Sequence, residues 1–320
     1  QRIVFSQLCN VLDPGVAVAF GSITNELWAA TQALRQQLRA DHEAAAALCL
    51  KMGMRSCKEL RQARVVHWED KQLSSADLSL LGTLGSVLPA LKELFLSESS
   101  TGAAGPDGVQ RLAEGLGVGA LPALTWLNLG SRHSGDAGAS ALAAALGRGA
   151  LPRLIELDLD DATIGDAGLL ALAPALRRRP ALETLGLMGN PLGDEGLAAL
   201  VAPPLPAGAL SPPTGGLTKL KELDLSFTKV TDAGCATLAA ALDSGALPAL
   251  ETIYLHGSSA SDAAKAAVQE ALEKLKGPKS DSESEEDGEE EEEAEEEEEG
   301  DEEDEEDGEE EGEEEDGEGN

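Results

Sequence analysis

Aromatic residues are nearly absent from this chain: 320 residues hold four Phe, three Trp and one Tyr. A core with so few rings has to be filled by aliphatic side chains set closely against small ones, and Leu, Ala and 35 Gly supply them. Cysteine is scarce too. Cys9, Cys49, Cys57 and Cys235 form no CxxC pair and have no His at metal-ligand spacing. They read as reduced, mostly buried thiols of an intracellular protein, cytoplasmic, nuclear or both. No apolar run approaches the eighteen or so residues of a membrane span. The longest, AAAALCL at 44–50, follows Asp41, His42 and Glu43. Basic residues are missing from one region altogether. Thirty of the 59 acidic residues fall between Asp281 and Glu318, where there is no Lys or Arg, leaving 29 acids against 24 bases in residues 1–280. The body is therefore close to neutral and the acidity is an appendage. The chain opens on Gln1 rather than Met, which leaves room for a preceding segment, a cleaved targeting signal among them.

What is present is repetition. Leu-Pro-x-Leu opens a unit at 88, 121, 151 and 247, and PAL at 180 and LTKL at 217 open two more. Each unit then reads LxxLxL: LKELFL at 91, LTWLNL at 124, LIELDL at 154, LETLGL at 182, LKELDL at 220 and LETIYL at 250. Alternate side chains of a strand face opposite ways, so Leu127 and Leu129 point inward while Trp126 and Asn128 point outward. A turn follows, then a pattern at helical spacing: GDAGASALAAAL at 135, GDAGLLALAPAL at 165, GDEGLAAL at 193 and TDAGCATLAAAL at 231. Asp136, Asp166, Asp194, Asp232 and Asp262 recur where each helix begins, which suits an N-cap. Gly138, Gly168, Gly196 and Gly234, two residues on, let each helix lie close to its neighbour. One strand and one helix per 30-residue unit cannot bury their own apolar face, but stacked copies can, and the product is a curved α/β solenoid.

Over residues 63–276 the chain resembles the leucine-rich repeat family, in its longer ribonuclease-inhibitor-like type. The resemblance implies a horseshoe with strands on the concave side and helices on the convex side. It departs from the family at the Asn that closes LxLxxN. Here Ser99, Arg132, Ala162, Asn190, Thr228 and Ser258 occupy that place. Ser and Thr replace part of its bonding, whereas Arg132 and Ala162 do not, so looser turns are expected at those two. An insertion at 201–216 carries five prolines, which forbid regular structure. It reads as a surface loop, or as a polyproline ligand for an SH3-like partner.

Residues 1–62 do not repeat. SCKE at 56–59 fits a capping box, and TNELWAATQALRQQL at 24–38 fits an amphipathic helix. A small helical cap over the first repeat is expected. LCNVLDPGVAVAF with Leu27 and Trp28 also resembles an F-box, which implies docking to an adaptor of a cullin ubiquitin ligase. Residues 280–320 carry no aromatic residue and no aliphatic one larger than Ala, so the tail at 277–320 is expected to be disordered and extended. Ser280, Ser282 and Ser284 each precede an acid by three residues, the pattern of acidophilic kinases, so they are candidate phosphorylation sites.

No enzyme motif is present. His42, His67, His133 and His256 do not pair with a nucleophile. There is no P-loop and no dinucleotide fingerprint, and no cofactor or metal is expected. A binding face is better supported. The outward strand positions are Glu93, Phe95, Trp126, Asn128, Glu156, Asp158, Asp160, Thr184, Gly186, Met188, Glu222, Asp224, Ser226, Thr252, Tyr254 and His256. Acidic strips lie between aromatic anchors on this face, a pattern that suits a basic protein partner. The alternative is that Phe95 and Trp126 pack against the N-terminal cap. The tail would attract basic proteins and repel nucleic acid. Repeats followed by an acidic tail resemble the Ran GTPase-activating proteins, which implies a Ran-like GTPase as partner, though no family residue is carried over. The acidic leucine-rich nuclear phosphoproteins share the charge logic, which implies histones. The expectation is a monomeric, non-enzymatic interaction scaffold.

Overall fold

A computed structural model describes residues 25–98, 104–131, 134–201 and 216–276, together with positions 15 and 19, and the side chains of 25–30 are not among them. Seven strands of three residues each form one parallel sheet in chain order. They are β1 (Val65–His67), β2 (Glu93–Phe95), β3 (Trp126–Asn128), β4 (Glu156–Asp158), β5 (Thr184–Gly186), β6 (Glu222–Asp224) and β7 (Thr252–Tyr254). Among residues 25–64, two helices precede the sheet, α1 (Asn25–Lys51) and α2 (Cys57–Gln62). One follows each strand: α3 (Ser75–Leu84), α4 (Gly108–Gly115), α5 (Gly135–Gly147), α6 (Asp166–Leu176), α7 (Asp194–Val201), α8 (Asp232–Asp243) and α9 (Asp262–Lys276). Parallel strands alternating with helices in an open sheet make this a leucine-rich-repeat solenoid. The unit at β1 was not expected as a repeat, because Val65–His67 lacks LxxLxL.

The core follows the repeat. Leu94, Leu127, Leu157, Leu185, Leu223 and Ile253 occupy the middle of successive strands, stand side by side in register, and are buried. Burying each is worth about 1.5–3 kcal/mol. Ala45 and Leu48 of α1, Met52 just beyond it and Leu60 of α2 join the same core as Val66 and Trp68. Helix α1 runs past the expected residue 38, because AAAALCL extends its apolar face. At α2, Ser56 Oγ accepts from Glu59 N–H, but the Glu59 carboxylate accepts from Arg55 N–H rather than completing the box on Ser56. A full capping box stands instead at Ser74 and Asp77, opening α3.

The recurring aspartate corrects the N-cap expectation. It does not cap its own helix but the next one. Asp136 Oδ1 accepts from Gly165 and Gly168 N–H at 2.8 and 3.0 Å. Asp166 Oδ1 accepts from Gly193 and Gly196 at 2.7 and 2.8 Å. Asp194 accepts from Thr231 N–H and its hydroxyl, and Asp232 does the same for Ser261. The reason is stacking. The start of each helix lies against the start of its predecessor, and the N-terminal amides of one face the first-turn carboxylate of the other. Glycine is required there because a Cβ at Gly168 would sit 2.5 Å from Asp136 Oδ1. At the opposite helix ends, Arg148 donates to the carbonyls of Ala113 and Leu116, and Arg179 to those of Leu146 and Leu151.

The turn at Ala162 is not left unbonded. Asn190, in the next unit, is 1% exposed. It accepts from Ile164 N–H at 2.8 Å and donates to the Leu159 carbonyl at 2.8 Å, bracketing Ala162 from the neighbouring repeat. Thr228 and Ser258 each donate to a carbonyl three residues back, at Leu225 and Leu255. Ser99, Arg132, His133, most of the F-box-like stretch at 8–20, most of the insertion and Ser280, Ser282 and Ser284 lie outside the described residues.

Candidate protein-binding face

Strand register arranges the outward side chains in rows. Val65, Glu93, Trp126, Glu156, Thr184, Glu222 and Thr252 form the first. His67, Phe95, Asn128, Asp158, Gly186, Asp224 and Tyr254 form the second. Asp160, Met188 and His256 follow two residues beyond β4, β5 and β7. All the expected binding positions therefore share one sheet face, and these rows contain no Lys or Arg.

The two ends of the face are aromatic and differ in kind. At the β1 end, His67 stacks on Phe95 with ring centroids 4.6 Å apart, and Trp126 meets Phe95 edge-on at 4.6 Å. Phe95 is left 7% exposed. It cannot serve as the open anchor expected of it and instead holds a ring stack together. Trp126 is half-buried. At the β7 end, Tyr254 is 44% exposed. Phe227, which the alternation pattern did not reach, is 57% exposed and meets His256 edge-on at 5.3 Å. Phe227 also has φ +56, at a turn position that its counterparts fill with Asp70, Ser131, Asp161, Gly189 and Gly257, all at positive φ. A bulky residue in that conformation is strained, and such strain collects at functional positions. The signal in sequence was an aromatic three residues past a strand end.

Between the rings lies the acidic centre. Part of it is structural. Asn128, Asp158 and Asp224 each accept from the backbone N–H two residues on, at Gly130, Asp160 and Ser226. Asn128 also donates to Asp158 Oδ2 at 2.8 Å, and Asp160 Oδ1 accepts from Met188 N–H at 2.8 Å. The missing side chain at Gly186 makes room for this, since a Cβ there would lie 2.8 Å from Asp160 Oδ1. Burial, then the Asp158 charge, push Asp160 up to about 7. Burial raises Asp158 as well, reinforced by Asp161 and Asp224. Glu156 is raised by burial and then by Glu93, Glu222 and Glu183. The carboxylates repel one another across strands, and a cation laid over them relieves that repulsion. Among the described residues no His, Cys, Asp and Glu group is arranged to hold a metal ion. No described helix is long and apolar enough to cross a membrane.

The strands and helices define a leucine-rich-repeat solenoid, a fold whose members generally bind protein partners. Residues 152–173, 180–201 and 216–239 match the family model described as leucine-rich repeat, and they are the units around β4, β5 and β6. No curated protein matches the chain. Among solved structures the chain is similar to a protein from Bacteroides fragilis, at 14% identity and a TM-score of 0.39, over 72% of this chain and 68% of that one.

Proposed function

We propose that the chain is a non-enzymatic scaffold that takes a basic protein surface onto the open face of its sheet. The observation that carries this reading is the set of carboxylates at Glu93, Glu156, Asp158, Asp160, Glu222 and Asp224 on a face without bases, ending at the exposed rings of Tyr254 and Phe227. Exposed aromatics supply anchoring area and the carboxylates steer a cationic partner. The finer reading is a ribonuclease-inhibitor-like activator of a Ran-type GTPase, supported by 30-residue units joined to a polyanionic tail. On that reading the tail gathers basic partners, and phosphate on Ser280, Ser282 or Ser284 strengthens it.

The test is a pull-down from cell extract near physiological salt, comparing residues 1–320 with 1–276 and reading the retained proteins by mass spectrometry. A discrete partner that stays on 1–276 and is lost with Tyr254→Ala supports the sheet face. A Ran-like GTPase in that set selects the finer reading, and a cullin adaptor selects the F-box-like one. Loss of everything with the tail, histones included, replaces the sheet-face reading with that of a polyanionic chaperone.

A further inference from the structure

The first row of the sheet face has a period of its own. Its acids stand on every second strand, Glu93 on β2, Glu156 on β4 and Glu222 on β6. The strands between them carry Trp126 on β3 and Thr184 on β5. Register sets all five residues side by side, and all five are half-buried. Among the described residues no ion pair or side-chain hydrogen bond holds these three glutamates, whereas Asp158, Asp160 and Asp224 beside them accept from backbone N–H groups. Lys221, next in the chain to Glu222, is taken by Glu183 at 2.8 Å. The three glutamates also feel one another: after burial, Glu93 and then Glu222 raise the Glu156 carboxyl. Trp126 is fixed edge-on against Phe95, so its indole is a set surface between Glu93 and Glu156.

Neighbouring strands lie about 4.8 Å apart, so acids on alternate strands are about 9.6 Å apart. A polyproline-II segment rises about 3.1 Å per residue with three residues per turn, and so returns a side chain to the same side every ~9.3 Å. A β-strand returns one after ~6.7 Å. An α-helix comes nearest at seven residues, ~10.5 Å, and overshoots at each step. We propose that the occupant of this face is a polyproline-II segment of a partner protein with Arg or Lys at every third position, a proposal that rests on the cation-binding reading of the face and names what the face holds. The segment lies along the row, across the strands, with its bases on Glu93, Glu156 and Glu222. A proline between the first two bases packs on the Trp126 indole, as prolines do in aromatic-lined grooves. The small Thr184 leaves room for the residues between the second and third. The backbone of such a segment makes no internal hydrogen bonds and stays in water.

The test is a pair of fluorescein-labelled peptides of one composition, RPPRPPR and RPRPRPP, titrated with the full chain near physiological salt and read by anisotropy. Their equal charge gives a polyanion that reads charge alone no reason to separate them. The expected result is tighter binding of RPPRPPR by about tenfold, the worth of two additional surface ion pairs. Glu156→Gln and, separately, Glu222→Gln should weaken RPPRPPR several-fold and leave RPRPRPP nearly unchanged. Each substitution removes a charge that its neighbours repel, and the comparison of the two peptides on the parent chain stands even if a variant fails to fold. Equal binding of the two peptides overturns the proposal, and so does binding of neither. A preference that survives both substitutions belongs to another part of the chain and overturns it too. Failure of the broader reading looks different. A pulled-down partner still lost with Tyr254→Ala keeps the sheet face as the binding surface and makes its occupant a folded basic surface instead of this segment.

Discussion

Asp160 is the residue whose charge state the surroundings change most visibly on the sheet face. Its folded pKa, near 7, lies above the ordinary carboxylate value. The folded chain therefore binds a proton that the unfolded chain has released between about pH 4 and 7, and stability falls as pH rises through that window. Asp160→Asn keeps an acceptor for Met188 N–H and removes the charge. Its stability relative to the parent should grow between pH 5 and pH 8, read from urea unfolding at the two values. A gap that stays constant or shrinks would remove the burial and repulsion argument for this residue. Phe227 allows a sharper separation of stability from function. Phe227→Gly relieves a left-handed bulky residue and should raise stability by about 1 kcal/mol. The same change should weaken partner binding several-fold, since it deletes an exposed ring. Calorimetry of unfolding and titration of the partner identified by pull-down test both halves.

Among the elements, the strands were the most legible, because an alternation of period two in LxxLxL is local and the register then follows from stacking. Strand β1 escaped because Val65, Val66 and His67 carry no such signature, and what makes it a repeat is the sheet beside it. The helix caps are not legible locally for a related reason. The aspartate looked like a cap for the helix it opens, yet Asp136 and Asp166 act on amides 27–32 residues away. The same holds for Ala162, whose turn depends on Asn190 of the next unit. On the face, the rows were legible from alternation, but the burial of Phe95 and the exposure of Phe227 were not, since both depend on rings from adjacent units. Asp166→Ala should cost about 1–2 kcal/mol, the range for a lost cap, measured by chemical denaturation. Local exchange of the amides at Gly193 and Gly196 should speed up, whereas a cap internal to α6 would speed up exchange at its own start.

At the scale of the whole molecule, two charged regions would make two kinds of complex. Proteins held by an exposed polyanion should leave as salt rises from about 0.15 M to 1 M, where the screening length falls from about 8 to 3 Å. A partner anchored on Tyr254 and Phe227 should remain, and a salt series on the same pull-down distinguishes them. The far end of the sheet is also closed against strand addition, because β7 is only three residues long and Gln269 of α9 donates to the Ile253 carbonyl at 3.3 Å. The relay of aspartates has a consequence for how such a chain comes into being. From α5 onward each unit leaves behind the acceptor that the following helix needs, so these caps form in the direction of synthesis. For α6 to α9, a nascent chain finds the amides of its newest helix met by the carboxylate of a finished one. Cutting units from the end leaves a spare carboxylate in water, whereas cutting them from the beginning strips the first remaining helix of its partner.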